Sequence, residues 1–205
     1  MENGRKQLKR SHAERSQMMR QRLIESTIGI IQNQGFEAAT FFEVAKCAGV
    51  TPGAIQHHFK SKGDLMMEVL NHLIKEGHQA GKLWPSSDLP PNERARLLVG
   101  NAWQLIYRHP RFVAAWSTYL GCKGKPELLA HIARQRADLM RELRPRFLAS
   151  FPELADAPDA DGFIGLVFSA LRGMGLLQLF DADGAATQQQ LESLAKLIAS
   201  RCAMA

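Results

Sequence analysis

The sequence predicts an all-α protein on three observations. Apolar residues recur at helical spacing, as in Ile24, Ile28, Ile31; Leu65, Val69, Leu73; Leu98, Ala102, Leu105; Leu128, Ile132; Leu139, Leu143; and Leu191, Leu194, Leu197. Capping-box pairs stand ahead of several runs, at Ser11/Glu14, Thr40/Glu43, Ser61/Asp64 and Thr187/Gln190. Strand-like alternation is nearly absent. With 205 residues, 45% of them apolar, the chain can bury one sizeable core or two small ones.

Taken in order, a first helix carries Ile24, Ile28 and Ile31 and gives way at QGFEAA, residues 34 to 39. Thr40 opens a short helix whose Val44, Ala45 and Cys47 face inward. It ends at Gly49, the residue best able to take a left-handed turn. Thr51 as N-cap and Pro52 as first helical residue start a second short helix, held to the core by Ile55 and Phe59. A helix over 65 to 82 leads to the proline-rich WPSSDLPP at 84 to 91, the expected seam between two domains. Beyond it come a helix with Leu98, Ala102 and Leu105, one opening at Pro110, and one opening at Pro126 that Pro145 should kink or end. An apolar helix over 162 to 180 and a last one over 187 to 203 bring the count to about nine, three of them short and packed into residues 40 to 80 or just before. The expected divisions are an arm at 1–14, a small helical domain at 15–80 and a larger helical bundle at 81–205.

Composition excludes several classes. The polar, basic start MENGRKQLKR has no apolar stretch behind it, so no secretory signal is expected. Residues 162 to 180 contain Ser169, Arg172 and Gln178 and look short for a bilayer, so no membrane span is expected. Cys47, Cys122 and Cys202 are odd in number and in no ligand spacing, which points to a reduced cytoplasmic chain without disulfides or zinc. Net charge is +6, and its placement is uneven: ten Lys and Arg face five Asp and Glu through Lys62, against sixteen and fifteen thereafter. That asymmetry suits a segment that meets a polyanion, although a solvated basic tail has the same composition.

The two short helices explain the charge. On the second, Gly53, Gln56, His57 and Lys60 fall at i, i+3, i+4 and i+7, a stripe with no apolar side chain to bury. Ala45 lets the helices cross closely, Gly49 makes the turn and Ile55 anchors the second helix. This is the spacing of a helix-turn-helix. In a major groove, Gln56 and His57 reach base edges, Gly53 admits close backbone approach, and Lys60 and Lys62 meet phosphates. Thr40 and Ser61 open helix N-termini whose N–H groups suit phosphate oxygens, and Thr51 and Pro52 begin the reading helix itself. A metal site at His57 and His58 is rejected, because adjacent helical positions diverge by about 100° and no further ligand completes a set.

The run GFEAATFFEVAKCAGVTPGAIQHHFKSKGDLM closely resembles the N-terminal signature of the tetracycline-repressor (TetR) family. The resemblance spans roughly residues 17 to 76 and rests on Gly35, Phe36, Thr40, Ala45, Gly49, Val50, Gly53, His58, Phe59, Lys62 and Leu65. Residues 110 to 147 and 163 to 180 bear a weaker likeness to choline-responsive repressors. The resemblance implies an N-terminal three-helix DNA-binding domain and a helical C-terminal domain. It further implies an intracellular homodimer that represses from a double-stranded operator and leaves it when a small-molecule effector binds. It also implies that His58 packs beneath its helix. Gln56 departs from the family's usual tyrosine, a backbone contact, and leaves base and phosphate both open for this position.

In the C-terminal half, Trp103, Tyr107, Trp116, Tyr119 and Phe168 lie on helices that the family uses to line its ligand cavity, with Phe147 and Phe163 nearby; each also suits a plain core. Arg172 is expected at an interface or in solvent, with an anionic ligand as the other reading. Arg134, Arg136, Arg141, Arg144 and Arg146 are expected to form a solvated face with Asp138 and Glu142. The helix over 162 to 180 is too apolar to show a face to water. With the last helix it is expected to form half of a four-helix dimer bundle through Phe163, Leu166, Leu176, Leu191 and Leu194. The GMG at 173–175 lacks the preceding strand of a nucleotide site and reads as close helix packing, so no cofactor is expected. Two rivals stand beside this reading: a small helical enzyme, for which no catalytic constellation is present, and a helical ligand-binding or scaffold protein that does not bind DNA.

Overall fold

A computed structural model describes residues 11–78 (side chains to Leu73), 83–180 and 183–204. Among the described residues the chain is helical throughout. Nine α-helices run α1 (His12–Gln34), α2 (Phe41–Ala48), α3 (Pro52–His58), α4 (Lys62–His78), α5 (Pro91–Ala102), α6 (Pro110–Gly121), α7 (Pro126–Ser150), α8 (Ala160–Leu177) and α9 (Gly184–Met204). Most of the basic arm, residues 1–10, and the end of the expected joining helix, 79–82, lie outside the described residues.

The start signals work largely as the sequence predicts. Ser11 and Glu14 form a full capping box, each side chain accepting the other's backbone N–H. Thr40, Thr51 and Ser61 accept from the N–H groups of Glu43, Ala54 and Asp64. Gly49 takes the left-handed conformation at φ 64° that ends α2. Thr187 departs from expectation. Helix α9 begins three residues earlier, Asp183 accepts from the N–H of Ala185, and the Thr187 hydroxyl donates back to the Asp183 carbonyl. Cys47 is exposed, and Ala48 takes the inward position beside Val44 and Ala45. Helix α7 also continues through Pro145 to Ser150 rather than ending there. Pro145 is exposed, so the loss of its backbone bond falls on the solvent side.

Two cores form. The first takes Leu23, Ile28, Val44, Ile55, Phe59, Leu65 and Leu70 from α1 to α4, and continues into Ala114 and Ala115 of α6, Cys122, and Leu128 and Ile132 of α7. The second joins α5, the far half of α7, α8 and α9 through Leu98, Phe147, Phe168, Leu171 and Ile198. Packing therefore crosses the proline-rich seam, and α7 serves both cores. Arg94, only 2% exposed, pins the second core: it donates to the Ser150 carbonyl at 2.6 Å and pairs with Glu153, whose carboxyl that hydrogen bond holds below its usual pKa.

Helix α8 with its short extension is 21 residues long (Ala160–Phe180, mean hydropathy 1.7), apolar and long enough to cross a bilayer by length and composition alone, contrary to the expectation of a short segment. Ile164, Val167, Phe168, Leu171 and Met174 face the second core, as in a core helix. The GMG reading holds at Gly175, where a Cβ would lie 2.7 Å from a Phe112 ring carbon and 2.9 Å from the Tyr107 carbonyl oxygen. Of the expected interface residues, Leu191 and Leu194 are buried within the chain. The periodicity marked an apolar face of α9 without saying whether it met its own chain or another. Phe163 and Leu176 are half-buried, and Leu166 is 54% exposed.

Candidate nucleic-acid interface and ligand pocket

Helix α3 is anchored from behind by Ile55 and Phe59, both buried. Arg20 of α1 braces it: its guanidinium donates to the His58 carbonyl at 3.1 Å, lies 4.6 Å from the Phe59 ring centre and pairs with Glu68 at 3.1 Å. Four side chains of α3 and its cap, Thr51, Pro52, Gln56 and His57, stand exposed together with Gly53 and, just beyond, Lys60. Thr40 is exposed at the start of α2. His58 is half-buried, as the resemblance implies; burial, then the neighbouring His57 and Arg20 charges, push its pKa down. Lys62, expected to meet phosphate, has partners within the chain. Its ammonium donates to the Phe36 carbonyl at 3.4 Å, lies 4.6 Å from the Phe36 ring centre and sits 3.9 Å from Glu37. Among the described residues no group of three or more His, Cys, Asp or Glu side chains could hold a metal.

The second feature is a cavity of about 480 Å³ between α4, α6, α7 and α8. Tyr107, Trp116, Tyr119 and Phe168 line it as expected, and Trp103 does not; that indole is buried in the second core. A wide π-type turn spans Trp103–Tyr107, with the Arg108 N–H donating to the Trp103 carbonyl at 2.9 Å. Tyr107, Phe112, Trp116 and Tyr119 form a chain of edge-on rings with centres 5.1 to 6.4 Å apart. Trp84 and Phe168 meet at 6.4 Å on another wall. Burial raises the Tyr107 pKa to about 12 against the opposing charge of Arg172, and raises Tyr119 against Arg136 and Arg172. Arg172 is thus a half-buried wall residue rather than a fully solvated one, while Arg136 and Arg146 are exposed, as expected of a solvated face, and also line the same cavity. Arg141 and Arg144 pair outside it with Asp138 and Asp161. Sequence reasoning missed Trp84 and Phe112, which the seam and the α6 turn bring in.

The cavity and the α3 domain share parts. Arg111, a wall residue on α6, donates to Glu25 of α1 at 2.6 Å, and His72 of α4 lies 2.7 Å from the same carboxylate. Burial alone would raise the Glu25 pKa; Arg111 and then His72 outweigh it and hold the carboxyl below its ordinary range. Asn71 of α4 accepts from Gln135 and meets His131 of α7 at 3.1 Å. Phe36 presses on Gly121 at the end of α6.

The family model described as "Bacterial regulatory proteins, tetR family" matches residues 23–69, the stretch that holds α2, α3 and their braces. Over these residues the chain carries a segment of the tetR-family type. It is 27% identical over 142 residues to the HTH-type transcriptional regulator BetI of Rhizobium meliloti (strain 1021), covering 69% of this chain and 68% of that one. The BetI regulator of Serratia proteamaculans (strain 568) is 35% identical over 82 residues, but the match spans 39% of this chain and 41% of that protein. A transcriptional regulator from Saccharomonospora viridis, solved in complex with choline, superposes with a TM-score of 0.68 at 19% identity, over 89% of this chain and 96% of that one. The likeness at that identity is one of fold. The matched segment and these relatives mark a DNA-binding transcriptional regulator.

Proposed function

We propose that this regulator reads DNA with α3, dimerises through α8 and α9, and responds to a small molecule held in the cavity. The observation that carries the reading is the row of Gly53, Gln56 and His57, exposed on a helix whose reverse face is locked by Ile55, Phe59 and Arg20. Lys60 is exposed just past the extended Phe59 that ends the helix, rather than on the helix itself. Residues 1–14 are then the arm, 15–80 the DNA-binding domain and 81–205 the ligand-binding and dimerisation domain, acting in the cytoplasm beside the DNA. Gln56 and His57 address base edges, Lys60 the backbone, and the exposed caps Thr40 and Thr51 offer helix N–H groups to phosphates.

For dimerisation, Leu166 and Leu177 are both about half exposed and lie on one side of α8 with exposed Ser169 and Gly173 between them. Leu197 and Met204 give α9 an exposed apolar edge. Two copies joined there set two α3 helices in successive major grooves, about 34 Å apart. For response, Leu73 of α4 and Arg111 of α6 belong to the cavity wall, while α4 and Glu25 belong to the DNA-binding half. A ligand that prefers one pose of α4 and α6 biases the separation of the reading helices, and the coupling is reciprocal. Release from a repressed operator is the expected direction.

Selection of random duplex DNA by the purified protein tests the reading. It expects an enriched inverted repeat bound with a steep negative salt slope. Equal, weak binding to every duplex would favour the scaffold alternative.

A further inference from the structure

Resting on the reading of the cavity as the effector site, we infer that its effector is an organic anion with an apolar body, a carboxylate or a group of like charge, and not a quaternary ammonium ion. Four arginines, Arg111, Arg136, Arg146 and Arg172, come from α6, α7 and α8 to line one cavity, and no described lining residue is acidic. Arg111 is held by Glu25. The other three make no hydrogen bond or ion pair with any described residue. Arg172 is the most telling, because it is half-buried on the core helix α8 and its charge bears on both Tyr107 and Tyr119. A guanidinium drawn partly out of water with no carboxylate beside it is unfavourable unless a bound group supplies the opposite charge. Its planar fork suits a carboxylate that accepts two hydrogen bonds.

The remaining wall is apolar, with Leu73, Ile132, Leu139, Phe112, Trp116 and Phe168 available to cover a hydrocarbon or ring. Aromatic walls also attract cations, as in cages for quaternary ammonium groups. Here a cation would sit among three unpaired positive charges with no described acidic wall residue to offset them. A choline-bound fold relative therefore does not set the chemistry of this pocket.

Full-length protein, followed by the fluorescence of Trp84 and Trp116 and by calorimetry, is titrated with decanoate, decanol and decyltrimethylammonium, and with phenylbutyrate, phenylbutanol and phenylbutyltrimethylammonium. The acid is expected to bind at least about tenfold more tightly than the alcohol or the ammonium in at least one set. The winning set tells an aliphatic body from an aromatic one. Arg172→Gln should bring the acid down toward the alcohol, and exposed Arg136→Gln should do so in part without disturbing the fold. Alcohol or ammonium bound as tightly as acid in both sets would overturn the anion assignment while leaving the cavity as the effector site. Binding of none of the six would overturn the effector-site reading and the assignment with it.

Discussion

Gly121→Ala probes the joint between the DNA-binding half and the cavity. A Cβ built on Gly121 lies 2.1 Å from Cδ1 of Phe36 and 2.4 Å from its Cε1 and Cγ. Ordinary contact begins near 3.4 Å, so the ring must retreat by about 1.3 Å. That retreat also disturbs Lys62, whose ammonium rests over the ring and donates to the Phe36 carbonyl. Overpacking of this kind costs about 1–3 kcal/mol. For a chain of this size that lowers Tm by about 2–12 °C, readable by circular dichroism. The control is a cycle with Phe36→Ala: with the ring gone, the added methyl meets open space and should cost less than about 0.5 kcal/mol. An equal loss with and without the ring, or no loss at all, would refute the seating of Phe36 on Gly121.

Four further outcomes are expected. Lys60→Ala should make the salt dependence of DNA binding shallower by about one phosphate's worth, whereas Lys62→Ala should act mainly on thermal stability, since its ammonium is engaged with Phe36 and Glu37. Arg94→Leu strands the buried Ser150 carbonyl and removes the partner of Glu153, and urea unfolding should show a loss of about 2–4 kcal/mol. The lowered pKa of Glu25 contributes stability that is complete above its unfolded value near 4.5 and is lost as pH falls through the folded value. Glu25→Gln should therefore flatten the acid limb of the stability curve, and an unchanged limb would show that the contact with Arg111 and His72 contributes nothing. Leu166→Glu with Leu177→Glu should yield monomers in analytical ultracentrifugation, with the helical circular dichroism retained.

The helix-turn-helix was legible because its signals are local. A threonine cap, a proline at the first position and a glycine at φ 64° each act within a few residues, and the chain obeys them in place. The cavity was legible only in part, since membership depends on how helices meet. Tyr107 lines it and Trp103 does not, although both lie on one wide turn that no periodicity announces. Arg136 and Arg146 read as a solvated face and are exposed, but their spacing says nothing of the cavity that they also line. Leu191 and Leu194 show the same limit, for an apolar stripe tells that a helix is covered and not by what. Phe36 carries no sequence sign of its landing on Gly121, far along the chain.

The most direct test of the account is the affinity of Gln56→Ala and His57→Ala for the duplex recovered by selection, measured against wild type across single base changes in that duplex. The account predicts that each variant weakens binding by about 1–3 kcal/mol, and that sensitivity to base identity falls at particular positions of each half-site. Variants that bind that duplex as wild type does, with the base preference intact, would contradict the claim that α3 reads DNA.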